Sequence, residues 1–273
     1  MARPRVLIIA GLDPSGGAGV AADIRTVSAL GGYPMPVLSA VTVQNTCGVR
    51  AISMLAPELV ADQIRTVVED IRPDAVKTGM LGDPAIVAAV AEALCGLADV
   101  PLVVDPVLVA GTGDSLTSRP ITEALLRHLI PMAAVVTPNV PELAALTGQT
   151  VTDDAGLEAA ARALLARTGT GAVFAKAGHL EGAVHRDLLI AAGGAALVLE
   201  SPHIPAVRAG HGTGCTLASA LAAGLAAGLA LAEAARRAHA FVREALRHAE
   251  AGLGHGTVPV DPMWMVPPAG GTG

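Results

Sequence analysis

The segment Gly210-His211-Gly212-Thr213-Gly214-Cys215-Thr216 carries the strongest chemical signal in this chain. Glycines at the start of a helix let successive backbone N–H groups converge on an anion, and the helix dipole adds to the attraction. Phosphoryl transfer spreads negative charge over three oxygens, so a nest built from Gly212, Thr213 and Gly214 would stabilise both a bound phosphate and the transition state. Cys215 falls in the same turn. The N–H groups are expected to lower its thiol pKa and make it a base toward a substrate hydroxyl, the other reading being a small thiol packed against alanines.

Residues at the ends of other apolar runs could complete such a site. A glycine-rich turn, residues 10–19, follows the first run, and Gly11 would let backbone approach a small ligand closely unless these glycines serve only tight packing. Gln44 offers a donor and an acceptor together, which suits the edge of an aminopyrimidine or pyridine; a loop-capping amide is an equal reading. Asp23, one turn beyond Gly19, could accept from a ligand's exocyclic amine, the more common reading of such a residue being a solvated helix position. Asp105, Asn139 and Glu142 follow two other runs and can arrange Mg2+, directly or through its waters, around nucleotide phosphates. Asn139 and Glu142 also suit a helix cap and a first-turn position. Lys176 ends the run 172–175 and is a candidate phosphate anchor, with surface solvation the other reading, less persuasive in a chain that otherwise uses Arg.

Lys77 and Lys176 are the only lysines among 18 basic residues, and neither follows a glycine, so a Walker A loop is excluded. Gly17-Ala18-Gly19-Val20-Ala21-Ala22 matches the dinucleotide fingerprint, but no Asp or Glu occurs over 24–57 to grip a ribose, which argues against a Rossmann dehydrogenase. One Trp, one Tyr and two Phe cannot build a base-stacking platform, and a net charge of −6 disfavours a phosphate-backbone binder, so no nucleic-acid partner is expected. Three cysteines without a CxxC pair indicate neither a disulfide framework nor a zinc site and fit a reducing cytoplasm. The uncharged run 212–232 holds Gly224 and Gly228 at GxxxG spacing, yet it is mostly Ala and Gly and reads as a buried helix packed through small residues, not as a membrane span.

These motifs need a scaffold that brings strand ends together. Strand-like runs at 6–10, 37–43, 75–78, 102–105, 134–137 and 172–175 alternate with helix-period segments at 19–30, 58–71, 84–97, 122–129, 141–146 and 154–167. Leu59, Val60, Ile64, Val67, Val68 and Ile71 mark one helical face. Such alternation predicts a mostly parallel sheet covered by helices on both sides, with ligands beyond the strands' carboxyl ends. Runs at 187–191 and 196–199 predict a hairpin, and helices are expected at 213–225 and 231–249. The reading is one α/β domain over 1–255 with a Gly/Pro-rich tail, 256–273, loose from Gly252 onward.

Together with Gln44-Asn45-Thr46, Val76-Lys77-Thr78-Gly79-Met80-Leu81, Asp105-Pro106-Val107 and Thr137-Pro138-Asn139-Val140-Pro141-Glu142, the glycine turn and the His-Gly-Thr-Gly-Cys-Thr segment resemble, in order, the hydroxymethylpyrimidine/phosphomethylpyrimidine kinases of thiamine biosynthesis. The resemblance implies a ribokinase-like three-layer α/β/α fold, a homodimer, and use of ATP with Mg2+ to phosphorylate 4-amino-5-hydroxymethyl-2-methylpyrimidine and then its monophosphate. It implies that Gln44 holds the pyrimidine with help from Asp23, that Met80 and Val107 line its pocket, and that residues 212–215 form an anion hole. Cys215 would stand where most ribokinase relatives carry a catalytic Asp. Asn139, Glu142 and Lys176 would serve the nucleotide phosphates, with Glu142 and Asp105 at the metal. The chain departs from the familiar pattern at Ala209-Gly210, Thr78, Ala177 and the loop Gly111-Thr112-Gly113-Asp114. A pyridoxine/pyridoxal kinase of the same fold and a catalytically inactive pyrimidine-sensing module are the rival readings.

Overall fold

A computed structural model describes residues 2–108, 119–178, 180, 184–202, 204 and 209–266, and the side chains of all of these except Arg119 and Ala209. The loop 111–114 and His179 therefore lie outside the described residues.

Among the described residues, nine strands form one sheet in the order β3-β2-β1-β4-β5-β6-β7-β8-β9. Its centre is parallel: β1 (Arg5–Leu12), β2 (Tyr33–Asn45), β4 (Ala75–Thr78), β5 (Leu102–Val104), β6 (Val135–Val136) and β7 (Ala172–Ala175). Apart from β2, which exposes Tyr33, Val41 and Val43, these are apolar runs because helices cover both faces, so neither side-chain row meets water. The antiparallel edges are β3 (Gly48–Met54) at one end and the hairpin of β8 (Val184–Ala191) and β9 (Leu197–Pro202) at the other. The mostly parallel sheet and the hairpin match expectation. β3 carried no apolar run, because it pairs on one side only and Arg50, Ala51 and Ser53 face solvent.

Alternation along the strands sorts the core into two layers. Leu7, Ile9, Val37, Val76, Val104, Val136 and Val173 pack with α2 (Pro57–Asp70), α3 (Pro84–Leu94), α4 (Arg119–Ala124), α5 (Val140–Thr147) and α6 (Asp154–Thr168). Val6, Ile8, Ala10, Ala75, Val103 and Val135 pack with α1 (Gly19–Ala29), α7 (Thr213–Ala226) and α8 (Leu231–Arg247). The result is a three-layer α/β/α fold. On α2, Val60 and Ile64 are buried as expected, whereas Leu59 is exposed. The α7–α8 contact is close because a Cβ on Gly224 would stand 3.0 Å from that of Ala234; Gly228 instead ends the turn between the two helices.

The tail expected to be loose from Gly252 is tied down through residue 266. Here β11 (Val258–Pro259) pairs with β10 (Ala209–His211), Val258 and Val260 are buried, and Trp264 stacks on His248 of the segment after α8. Apolar residues within the Gly/Pro-rich stretch find a partner strand that lies about fifty residues earlier, which local composition does not reveal.

Candidate functional site

The strand order reverses at β1, with β2 and β3 on one side of it and β4 to β9 on the other, so a crevice opens beyond its carboxyl end. A cavity of about 740 Å³ occupies this place. It is lined by Gly11, Gln44, Met80, Asp105, Val107, Asn139, Glu142, Lys176, Gly212, Thr213, Gly214 and Cys215. One proposed site residue, Asp23, is not among its walls.

The anion nest is set by backbone. Gly212 caps α7 at φ +83, where a Cβ would overlap the Gly17 carbonyl, so the first turn of α7 lies directly against the β1–α1 loop. No side chain caps α7, and Thr216 N is the first amide bonded back, to Gly212 O at 2.9 Å. The preceding amides of Thr213, Gly214 and Cys215 have no intrahelical partner and sit at the cavity wall. Thr213 Oγ1 donates to Gly210 O at 2.9 Å, holding the turn.

Cys215 differs from expectation. Burial pushes its thiol up to about 12, against the lowering effect of Lys77 and of the Gly19 amide, with Asp23 and Asp105 adding to the rise. The residue is partly exposed at the cavity wall, but enough protein surrounds the sulfur that desolvation outweighs the helix N–H groups. It is a thiol at neutral pH.

The second cluster joins three strand ends. Lys176 Nζ donates to Asp105 Oδ1 at 3.1 Å and lies 4.0 Å from Glu142 Oε2. Thr137 Oγ1 donates to the same Asp105 oxygen at 2.9 Å. Asn139 and Glu142 form a reciprocal capping box on α5, with Glu142 N donating to Asn139 Oδ1 at 2.9 Å and Asn139 N to Glu142 Oε2 at 2.8 Å. The capping reading is realised, and both residues also line the cavity. Burial raises the Glu142 carboxyl to about 7, with Asp105 adding and Lys176 opposing. For Lys176 the burial effect is outweighed by Asp105 and Glu142, which hold the ammonium above its usual range. Gly214 permits this approach: a Cβ there would stand 3.2 Å from Lys176 Nζ.

At the other end, Asp13 and His211 form a buried pair, His211 Nε2 lying 2.6 Å from Asp13 Oδ2. Asp13 also accepts from Ser15 N, Ser15 Oγ and Ala18 N, and these bonds with that from His211 hold its carboxyl below the usual range despite burial. A carboxylate is acceptor-only, so the single Nε2 proton of His211 goes to Asp13. Gln44 Nε2 lies 3.4 Å from that same nitrogen, while Gln44 Oε1 accepts at 3.2 Å from Thr42 Oγ1, which also lies 2.9 Å from Leu12 O. Met80 completes this end; its methyl lies where a Cβ on Gly11 would stand, 2.5 Å away.

Asp23 is corrected. It is fully buried, accepts from Lys77 Nζ at 2.7 Å and from Ser219 Oγ at 2.7 Å, and so has no free edge for a ligand amine. Its position one turn into α1 is as expected, but that turn faces the sheet. Sequence reading did not single out Asp13 or His211 for a role, although both lie inside its motifs. It also missed His185, Asp187, His239 and Arg243, which line the cavity from β8 and α8 and carry no local motif.

Fold and cavity define a phosphotransferase of the ribokinase-like class: an α/β/α sheet with an uncapped helix N-terminus, a cation and carboxylates at its strand ends. The profile of the family described as phosphomethylpyrimidine kinase matches residues 13–261, and the chain belongs to that family. It is 46% identical over 262 residues to the hydroxymethylpyrimidine/phosphomethylpyrimidine kinase of Streptomyces coelicolor, covering 96% of this chain and 95% of that one. It is 44% identical to the thiamine biosynthesis bifunctional protein ThiED of Geobacter sulfurreducens, covering 94% of this chain but spanning only 52% of that longer relative. Among solved structures, the pyridoxal kinase from Staphylococcus aureus in complex with pyridoxal superposes with a TM-score of 0.86 at 32% identity, covering 96% of this chain and 94% of that one. Among the described residues no helix is long and apolar enough to cross a membrane.

Proposed function

We propose that this chain is an ATP-dependent kinase that phosphorylates 4-amino-5-hydroxymethyl-2-methylpyrimidine and then its monophosphate to the pyrophosphate, in thiamine biosynthesis. The observation that carries the reading is one cavity holding, at one end, a side-chain amide beside a buried His–Asp pair and, at the other, an anion nest beside a partly exposed Lys that lies between two carboxylates. Gln44 takes the pyrimidine edge, and Gly11, Met80 and Val107 pack on the ring with aliphatic and sulfur surface, as a chain with four aromatics requires.

ATP enters with its phosphates toward Lys176, Asn139 and Glu142. Mg2+ suits Asp105 and Glu142: both are hard oxygen donors, and a divalent cation would favour the ionised Glu142 carboxylate that burial, with Asp105 adding, disfavours. Among the described residues no three His, Cys, Asp or Glu side chains gather as metal ligands, so nucleotide phosphates and water would complete the shell. When bound, the ion neutralises charge on the transferring phosphoryl group. Lys176 and the amides of Thr213, Gly214 and Cys215 hold the phosphoryl oxygens in line with the acceptor.

In the first step the hydroxymethyl oxygen bonds to the γ-phosphorus as the bond to the ADP oxygen breaks. The hydroxyl proton passes to Cys215 in the fraction of molecules whose thiol has already lost its own. In the second step the nucleophile is a phosphate oxygen, already anionic, and needs no base. The active unit is a homodimer; Val41 and Val43, exposed on β2 beside the edge strand β3, are apolar surface that a second copy would cover, and light scattering at micromolar concentration measures it.

The superposition on a pyridoxal kinase gives the second reading, in which pyridoxal is the preferred alcohol. Parallel kcat/KM measurements on the two alcohols, with phosphates counted in each product, decide. Two phosphates on the pyrimidine are expected; a large pyridoxal advantage would overturn the substrate, and no ATP turnover with either alcohol would leave the sensing module.

A further inference from the structure

One buried charge pair takes no part in these steps. Lys77 sits mid-sheet on β4, in register with Ile8 of β1 and Val103 of β5, on the face packed against α1 and α7. Its Nζ reaches Asp23 Oδ2 at 2.7 Å, and Asp23 Oδ1 accepts from Ser219 Oγ at 2.7 Å. All three residues are fully buried. A Cβ on Gly79 would stand 2.9 Å from the ammonium, so the strand end is shaped around it. Taking both charges out of water costs several kcal/mol, and well-packed apolar residues of similar volume are often as stabilising or more so. Stability alone is therefore a poor account of an ion pair at this place.

The three residues belong to the three elements whose ends build the phosphoryl-transfer site. Asp23 lies on α1, one turn after Gly19; Lys77 lies on β4, three residues before Met80; Ser219 lies on α7, one turn after Cys215 and so on the same helical face. We propose that Lys77, Asp23 and Ser219 form a positioning cross-tie that holds the first turn of α7 in register with β4 and α1 and keeps a cation beneath the anion nest. A shift of the α7 start by a fraction of an ångström would misplace its amides in the transition state more than in the ground state. The loss would then fall on kcat.

The inference rests on the kinase reading, and its test has a readout that does not. The full chain is compared with the double variant Asp23→Leu/Lys77→Met, which exchanges the pair for apolar volume, and with Ser219→Ala. Melting temperature, kcat and KM for both phosphorylations, and amide hydrogen exchange over residues 213–222 are measured. The double variant is expected to melt within a few degrees of the parent, lose about tenfold or more in kcat in both steps with KM changed less than about threefold, and exchange faster over 213–222. A folded double variant with parental kcat and parental exchange overturns the cross-tie. If the double variant does not fold, Ser219→Ala decides by the same two readouts, with a smaller expected loss of about threefold. If the parent turns over neither alcohol, the kinase reading fails and exchange over 213–222 alone decides the cross-tie.

Discussion

The two lysines of this chain stand in two versions of the same arrangement. Each ends or crosses a parallel strand, each donates to an aspartate, and each is surrounded by protein. Around Lys77 the pair is closed: both side chains have no exposed surface, and the remaining carboxylate oxygen is taken by Ser219. Around Lys176 it is open: the side chain keeps 14% exposure, one ammonium faces two carboxylates, and the cluster forms a wall of the cavity. The closed pair has no valence left for a ligand. The open cluster sets one ammonium against two carboxylates, an excess of negative charge that a divalent ion would balance, and burial raises its Glu142 carboxyl to about 7.

The largest expected effect separates the two lysines directly. Lys176→Met should cut kcat about a thousandfold with little change in melting temperature, as removal of a donor to the transition state does. Lys77→Met alone should instead leave Asp23 buried and unpaired, costing about 3–5 kcal/mol, or a melting temperature lower by roughly 10 °C in a chain of this size. If both variants lose stability and activity alike, the contrast between open and closed sites is wrong.

Next in size is Glu142→Gln, which keeps the capping box but removes a carboxylate; kcat/KM for MgATP should fall about a hundredfold. Stability should move the other way. Between the ordinary value of 4.5 and about 7 the folded chain holds a proton on Glu142 that the unfolded chain has lost, so stability falls as pH rises through that window. Glu142→Gln should therefore melt a few degrees higher than the parent at pH 8 and show no such gain at pH 4. A lower melting temperature at pH 8 would mean that the carboxylate is satisfied in the free protein and the cluster is not open.

Cys215→Ala tests the boundary between the two regions, since the thiol belongs to the nest and feels the charge of Lys77. The first phosphorylation should fall by about ten- to a hundredfold and the second hardly at all. In the parent, the first step should accelerate with rising pH toward the thiol value of about 12, while the second should not. Equal loss in both steps would assign the thiol to the anion hole. The smallest effect is at the other end of the cavity: Gln44→Ala should lower kcat/KM for the pyrimidine about tenfold, leaving the KM for ATP unchanged, because it removes hydrogen bonds to one ring edge only.

Much of this was legible in the chain itself because the signals were local. Helix starts at Gly19, Pro84, Asp154 and Thr213 and the strands Ala75–Thr78 and Ala172–Ala175 lie where periodicity and Gly/Pro placement put them. The strand β3 and the pair β10–β11 were not legible, since each depends on a partner for its hydrogen bonds and none is an apolar run. Asp23 and Cys215 show the same limit in the site. For each, spacing correctly placed the residue one turn or less from a helix start, but the direction of the side chain and the depth of the surrounding protein decided its chemistry.

What residue type and order alone determined is the absence of a P-loop or an aromatic platform, the alternation that makes a doubly covered parallel sheet, and the glycine-rich helix start that leaves amides unpaired. These follow from what each residue can donate, accept or adopt. Only the tertiary structure decided which of two similar Lys–Asp pairs is sealed and which is open, and that burial rather than the helix dipole governs the Cys215 thiol. Desolvation depends on everything packed within several ångströms, and that neighbourhood is assembled from β1, β4, α1 and α7, which are far apart in the chain.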